Sequence, residues 1–167
     1  MYPFSAFNFS VEITPDGSSA PLCSAQFSEC DGLEMAMDVK TIREGGNNGV
    51  QIRLAGPATY GQLTLKRGMT ASFELWQWFE RVLSDPKVRA NAQVVLYGPD
   101  GTTQRAVWSL DRCVPLKLKA PPLNAKDGIL AVEELGLVYE RLTLREPSGG
   151  PLSVGVGVTA SPSVGIG

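Results

Sequence analysis

Alternating apolar and polar positions near the start of the chain predict a β-strand. Residues 7–13 place an apolar side chain at every odd position, which is the period of a half-buried strand. The tetrad Thr-Pro-Asp-Gly at 14–17 predicts a chain reversal, because proline presets φ and glycine tolerates positive φ. We therefore expect a hairpin whose second strand passes through Ala25 and Phe27.

The same turn chemistry recurs later. Gly-Pro-Asp-Gly at 98–101 lies between strand-like residues 94–97 and 105–110 and predicts a second hairpin. A last strand pair is expected at 114–118 and 129–139, on either side of a loop that contains two prolines. These patterns predict a mainly β fold with antiparallel pairing.

The middle of the chain contains two further strand-like runs, residues 33–42 and 50–54, and a third run that leads to Gly68. A polar insert separates the first two runs and consists of Arg43, Glu44, Gly45, Gly46, Asn47, Asn48 and Gly49. Glycine permits backbone conformations that other residues avoid, and asparagine side chains offer hydrogen bonds. The insert therefore has the chemistry of a projecting loop used for contact.

Residues 72–83 predict one α-helix. Apolar side chains at helical spacing would line one face, namely Leu75, Trp76, Phe79, Val82 and Leu83. The opposite face would carry Glu74, Gln77 and Arg81. We expect Thr70 or Ser72 to cap the first turn and residues 84–86 to end the helix. The tryptophans on this helix are interpreted as core residues, because large aromatics supply much of the burial in a small core.

Two adjacent glutamates, Glu133 and Glu134, lie in the centre of the last predicted strand. Neighbouring residues on a strand face opposite sides, so one carboxylate must face either the buried side or a partner. This position suggests an interface.

The character of the chain changes after Glu146. Residues 147–167 contain no charge and are rich in glycine, serine, proline and valine, which predicts a flexible tail. An added edge strand is the alternative, because residues 152–158 alternate apolar and small side chains. We expect one β-domain over 1–146 and a tail over 147–167.

Composition excludes several functional classes. The chain has 167 residues, 43% of them hydrophobic and 19% charged, and its net charge is −2. Nucleic-acid binding normally needs clustered lysine and arginine, which the chain lacks. It also has neither an apolar run of ~20 residues nor a signal-peptide pattern. We expect folding and assembly in a cytoplasm, without membrane insertion.

The candidate catalytic chemistry is sparse. Histidine is absent, which removes the commonest general base and metal ligand. The three cysteines, Cys23, Cys30 and Cys113, have no metal-site spacing, and reduced thiols are favoured over a bridge between Cys23 and Cys30.

Other charged or glycine-rich groups also fail as sites. Residues 43–49 lack the phosphate-loop pattern. Glu29, Asp31 and Glu34 are interpreted as solvated carboxylates at a strand entrance, and Lys66-Arg67 as a solvated or interface pair. We expect no catalytic, cofactor-binding or metal site.

Several multi-residue blocks, in order, resemble the family of contractile-tail tube proteins. The blocks occupy residues 28–34, 43–48, 54–56, 60–70, 75–78 and 131–137, within a resemblance that spans about 4–144. These tube proteins occur in myophage tails and in phage-derived extracellular contractile injection systems. The chain departs from the family pattern at Cys113-Val114, at the loosely matched Ala58-Thr59, and in its apolar tail.

The resemblance implies a structural protein with an antiparallel β-barrel or sandwich, one packed helix and a long extended hairpin. It implies hexameric rings stacked into a hollow tube inside a contractile sheath, in a virion tail or a released injection particle. The implied partners are copies of the chain itself, the sheath protein, baseplate or adaptor and tube-terminator proteins, and DNA or effector-protein cargo in the lumen. No cofactor is implied. The expected subunit and ring contacts are Arg43, Glu44, Gly45, Gly46, Asn47, Asn48, Gly49, Lys66, Arg67, Glu133 and Glu134.

Three alternatives stay open at this point. The departures from the family pattern are compatible with a paralogue at the end or base of the tube. A monomeric β-barrel that binds a small ligand or glycan is a different class of function. An enzyme of unrecognised type would need a carboxylate pair or an activated cysteine, with Cys30 and Glu34 as its candidates.

Overall fold

Nine β-strands and one α-helix form within the residues that the computed structural model describes, which are 4–22, 27–43, 45–46, 49–126 and 128–147. The strands are β1 (Phe9–Pro15), β2 (Glu29–Asp31), β3 (Met35–Arg43), β4 (Gln51–Tyr60), β5 (Gln62–Gly68), β6 (Ala90–Tyr97), β7 (Gln104–Lys119), β8 (Val132–Val138) and β9 (Arg141–Arg145). The helix α1 spans Glu74–Ser84. The expected mainly β, antiparallel fold with one helix is confirmed.

One bent strand joins the two halves of the main sheet. Its strand order is β1-β6-β7-β8-β5-β2, and β9 also pairs with β7. The first half of β7 pairs with β6 and β9, and its second half pairs with β8. At the change of partner Arg112 has a φ of 54°, and its N–H donates to Asn91 Oδ1 at 3.1 Å. Irregular positions of this kind turn a strand from one sheet to another.

The two halves and α1 enclose one apolar core. It is built from the inward-facing residues of the strands and from two helix residues, namely Val11, Ile13, Leu63, Leu65, Leu75, Trp78, Ala92, Val94, Leu110, Leu135 and Leu137. Phe27 and Tyr139 are also buried in it. Alternate residues of each strand enter this core, which explains the period of two in the sequence.

The first predicted hairpin is wrong in its pairing. The turn at residues 16–17 forms, but β1 pairs with β6 over its whole length, from Phe9 opposite Leu96 to Pro15 opposite Ala90. Phe27 is buried outside any strand, and Ala25 lies outside the described residues. Local turn chemistry specifies the reversal, whereas the partner of β1 is chosen by a non-local match of apolar faces.

The second predicted hairpin is confirmed by the pairing of β6 with β7. Its turn is held by Asp100, whose carboxylate accepts hydrogen bonds from Thr102 N and from the backbone and hydroxyl of Thr103. The bonds from Thr103 hold the pKa of Asp100 down at about 2. The predicted last strand pair also forms, although residues 114–118 belong to the continuous β7 and the partner strand begins only at Val132.

The helix begins two residues later than predicted, and its cap differs. Phe73 occupies the N-cap position without a side-chain bond, while Thr70 Oγ1 accepts from Ser72 N at 3.3 Å. The predicted end is confirmed, with Asp85 at the C-cap. The predicted apolar face is wrong at Leu83, which is 71% exposed, and it omitted the fully buried Trp78.

Candidate assembly interface

The β3–β4 hairpin projects from the body as a separate two-stranded sheet. The two strands pair only with each other within the described part of the chain, and every residue of β3 is exposed. At ~3.3 Å per residue, the nine residues of β3 extend ~30 Å. An isolated two-stranded hairpin is marginally stable in water, so this ribbon needs a further contact to be held firmly.

Both surfaces of the hairpin carry exposed apolar side chains. Directly opposite residues share a surface, so Ile42, Ile52 and Leu54 lie together near the tip, beside Lys40, and we call the three apolar residues the distal face. Met35, Met37 and Val39 lie on the other surface near the body, and we call this group the proximal face. These six side chains are 40–60% exposed. Contiguous exposed apolar surface of this kind marks a protein interaction site.

A β-bulge shapes the middle of the hairpin. The pairing shifts after Met37, so that Gly56 and Pro57 of β4 both stand opposite Asp38 of β3. A Cβ on Gly56 would lie 2.4 Å from Asp38 O, which is too close for any other residue. Bulges bend a strand pair and increase its twist, so this pair of residues directs the distal part of the hairpin.

The hairpin leaves the body at two glycines, Gly32 and Gly61. Gly32 has a φ of 101°, and a Cβ there would lie 1.9 Å from Gln62 O, so only glycine fits. The buried Tyr139 hydroxyl donates to Gly32 O at 2.9 Å and accepts from Glu34 N at 3.2 Å. Gly61 N donates to Glu34 O at 3.0 Å. Burial raises the pKa of Tyr139, so the hydroxyl stays protonated and holds this junction at neutral pH.

Tyr139→Phe is expected to loosen the hairpin without unfolding the body. The change removes all the hydroxyl contacts at the junction, with Gly32 O, Glu34 N and Glu34 O, but keeps the ring, whose centroid lies 5.7 Å from that of Tyr60. The expected loss of stability is about 1 kcal/mol. Hydrogen exchange should become faster at the amides of β3 and β4 and stay unchanged in β6 and β7. Unchanged exchange in the hairpin would show that the hydroxyl does not hold the junction.

The four predicted contact residues of the insert that the structure describes lie at the hairpin tip. Arg43 ends β3 and is exposed, as are Gly45, Gly46 and Gly49. Glu44, Asn47 and Asn48 lie outside the described residues. The sequence signal therefore located the end of a projecting element, but it did not show that the two strands behind the tip carry exposed apolar faces.

Lys66 and Glu134 belong to an alternating row of charges on the solvent side of the sheet. They stand opposite each other on β5 and β8. Lys66 Nζ lies 3.1 Å from Glu29 Oε1, and Lys117 Nζ lies 3.6 Å from Glu134 Oε1. The hydrogen bond to Glu29 raises the pKa of Lys66. Solvent-accessible ion pairs of this kind contribute ~1 kcal/mol or less to stability. Breaking them to contact a partner therefore costs little free energy.

Arg67 and Glu133 lie one residue further along the same strands and face the interior. Their exposed fractions are 3% and 2%, and Arg67 Nε donates to Glu133 Oε1. Trp76 Nε1 donates to Glu133 Oε2 at 3.3 Å, and Arg67 Nη2 donates to Ser72 O at 3.3 Å. The Arg67 guanidinium also lies over the Phe27 ring, 5.9 Å from its centroid. This network ties α1 to the sheet, and the expectation that one of the adjacent glutamates faces the buried side is confirmed.

The described residues contain no group of three cysteine, aspartate or glutamate side chains that could hold a metal ion. Burial raises the pKa of the Cys30 thiol to about 11 and that of the Cys113 thiol to about 12, so neither is an activated nucleophile. Within the same residues, no helix has the length and apolar character needed to span a bilayer.

The chain matches a known protein family. The family model described as "T4-like virus tail tube protein gp19" matches residues 5–143. Among curated proteins, none matches the chain.

Several solved structures share the fold. A chain in the anti-feeding prophage baseplate is 24% identical with a TM-score of 0.76, and the match covers 87% of this chain and 97% of that one. A chain in the PVC sheath-tube complex is 21% identical with a TM-score of 0.74, over 87% and 93%. A chain in the anti-feeding prophage tube-terminating cap is 20% identical with a TM-score of 0.73, also over 87% and 93%.

Proposed function

Because the chain belongs to the T4-like virus tail tube protein family, we propose that it assembles into hexameric rings that stack into the hollow inner tube of a contractile tail or injection system. The exposed β3–β4 hairpin carries this proposal. Its two apolar faces have no partner within the described subunit, and burying them against other copies provides the driving force for assembly. The tube then serves as a conduit for DNA or protein cargo and performs no catalysis.

The proposed contacts follow the placement of the residues. The insert residues Arg43, Glu44, Gly45, Gly46, Asn47, Asn48 and Gly49 meet a neighbouring copy, and Lys66 and Glu134 offer partly exposed charges beside the contact. Arg67 and Glu133 act from inside the subunit by holding α1 on the sheet. A hairpin that binds a different surface of the next copy makes a heterologous contact, which extends into a filament without closing.

Further partners are proposed from the assemblies in which similar chains are found. Those chains come from a sheath-tube complex, a baseplate, a tube-terminating cap and a sheath/tube terminator. We infer that this chain meets a sheath along its outer surface and terminator or baseplate proteins at the ends of its tube. Subunits are assembled in the cytoplasm and become part of a virion tail or a released particle.

Sedimentation velocity and negative-stain microscopy of the purified chain test the proposal. We expect species of six subunits and hollow tubes that lengthen as concentration rises. A protein that stays monomeric at high concentration, with neither rings nor tubes in the micrographs, would contradict the proposal and favour a monomeric ligand-binding module.

A further inference from the structure

A second apolar surface lies in the loop between β7 and β8. A cleft of about 690 Å³ opens there, and its lining consists of Pro122, Leu123, Asn124, Ala125, Ile129, Leu130 and Ala131. Leu123 is 90% exposed, and Ile129 and Leu130 are each 77% exposed. Three large aliphatic side chains held this far into solvent indicate an interaction surface rather than chance exposure.

The cleft and the hairpin lie at opposite ends of the β5–β8 strand pair. At one end Gln62 stands opposite Val138, next to the glycine junction of the hairpin. At the other end Gly68 stands opposite Val132, and Met69 N donates to Ala131 O of the cleft at 2.8 Å. The seven residues of β5 separate the two ends by ~20 Å.

We propose that the cleft receives the distal face of the hairpin from a second copy of this chain. This inference rests on the proposed function and names the surface that completes it. Copies aligned along the strand direction bring the hairpin end of one subunit to the cleft end of the next. The contact is heterologous and leaves a free hairpin at one end and a free cleft at the other, so each added copy recreates the site.

The shapes and reach of the two surfaces support a second copy as the occupant. The hairpin is a narrow ribbon ~30 Å long, whereas the hairpin end and the cleft end of the β5–β8 pair are ~20 Å apart. The ribbon is therefore long enough to reach the cleft of a neighbouring subunit that is aligned along the strand direction. Its distal face presents three aliphatic side chains, Ile42, Ile52 and Leu54, which match the aliphatic lining of the cleft. The described part of each chain carries one hairpin and one such cleft, so every copy supplies one donor and one acceptor.

Site-specific cross-linking tests this contact. Ile52→Cys and Leu130→Cys are prepared as separate chains, both with Cys23→Ser, then mixed, assembled and treated with a short bismaleimide at pH 7. Burial shields the Cys113 thiol, and the half-buried Cys30 thiol, whose pKa is raised to about 11, reacts slowly at this pH. Any product formed through Cys30 appears equally in the control mixture, because every chain carries this residue. The expected product is a covalent dimer of one chain of each kind, formed at least tenfold more than in the control mixture of Ile52→Cys with Gln93→Cys, an exposed position on β6.

The outcomes separate this contact from the proposed function. Tubes that form with no more cross-linking than the control would overturn the contact and leave the tube function intact. If the unmodified chain forms no tubes, the proposed function and this contact both fall.

A charge-pair variant provides a second, independent test. Leu130→Asp and Ile52→Lys change exposed side chains, so both chains should fold with unchanged thermal stability. Each change alone buries an unpaired charge in the contact, and we expect at least a tenfold rise in the concentration needed for assembly. The double variant should recover assembly that weakens as salt is raised, because the pair is screened. Single variants that assemble normally would overturn the contact.

Discussion

Removing the outer half of the hairpin is expected to abolish tube formation and to leave a folded subunit. Residues 40–54 are excised, and Val39 is joined to Ala55, its direct partner, through an Asn-Gly turn. The excised part contains the tip and the whole distal face, yet none of its described residues belongs to the apolar core. We expect an unchanged circular dichroism signature of the body and at least a hundredfold rise in the concentration needed for assembly.

A variant that keeps the full hairpin isolates the role of the apolar side chains. Ile42→Ser combined with Ile52→Ser retains the length and register of the ribbon but removes most of the distal face. We expect it to assemble nearly as poorly as the excised chain, because burial of apolar surface is the proposed driving force. Tubes of normal diameter and length from the excised chain would contradict the role of the hairpin in assembly.

The largest effect on stability is expected at the buried ion pair. Glu133→Ala leaves the Arg67 guanidinium at 3% exposure without its carboxylate and removes the acceptor of Trp76 Nε1. Breaking one partner of a buried pair costs about 3–5 kcal/mol. Urea unfolding followed by tryptophan fluorescence should show this loss, together with earlier release of α1.

The neighbouring residue offers a matched control. Glu134 lies on the same strand but faces solvent, where its carboxylate is 3.6 Å from Lys117 Nζ. Glu134→Ala should cost ~1 kcal/mol or less, as exposed ion pairs do. The double change Arg67→Met with Glu133→Leu should recover much of the lost stability, since no charge stays buried. A loss at Glu133 no larger than that at Glu134 would refute the structural role of the pair.

The sequence predicts the elements whose signals are local. The β6–β7 hairpin forms because Pro-Asp-Gly chemistry and alternating flanks agree, and the helix end follows from Asp85-Pro86. The family resemblance is also confirmed, by a family model over residues 5–143. The partner of β1 was missed, because β6 lies about 80 residues away along the chain and strand pairing at that distance depends on the whole core.

The candidate interface was only partly predictable, because the burial of a strand face also depends on contacts that are distant in sequence. Apolar residues alternate at Met35, Met37 and Val39 with a period of two. A strand half-buried in its own subunit and an exposed hairpin that binds another subunit both show this period. The sequence therefore indicates a strand but not whether the subunit itself covers its apolar side. The cleft of the β7–β8 loop was not predicted, because Ile129 and Leu130 were assigned to the last strand, which in the structure begins only at Val132.

Cryo-electron microscopy of tubes grown from the unmodified chain tests the central claim most directly. We expect a hollow tube of stacked hexameric rings in which each β3–β4 hairpin contacts a neighbouring copy and its distal face is buried. Tubes in which the hairpins lie free in solvent, or a purified chain that yields no tubes at any concentration, would contradict the account.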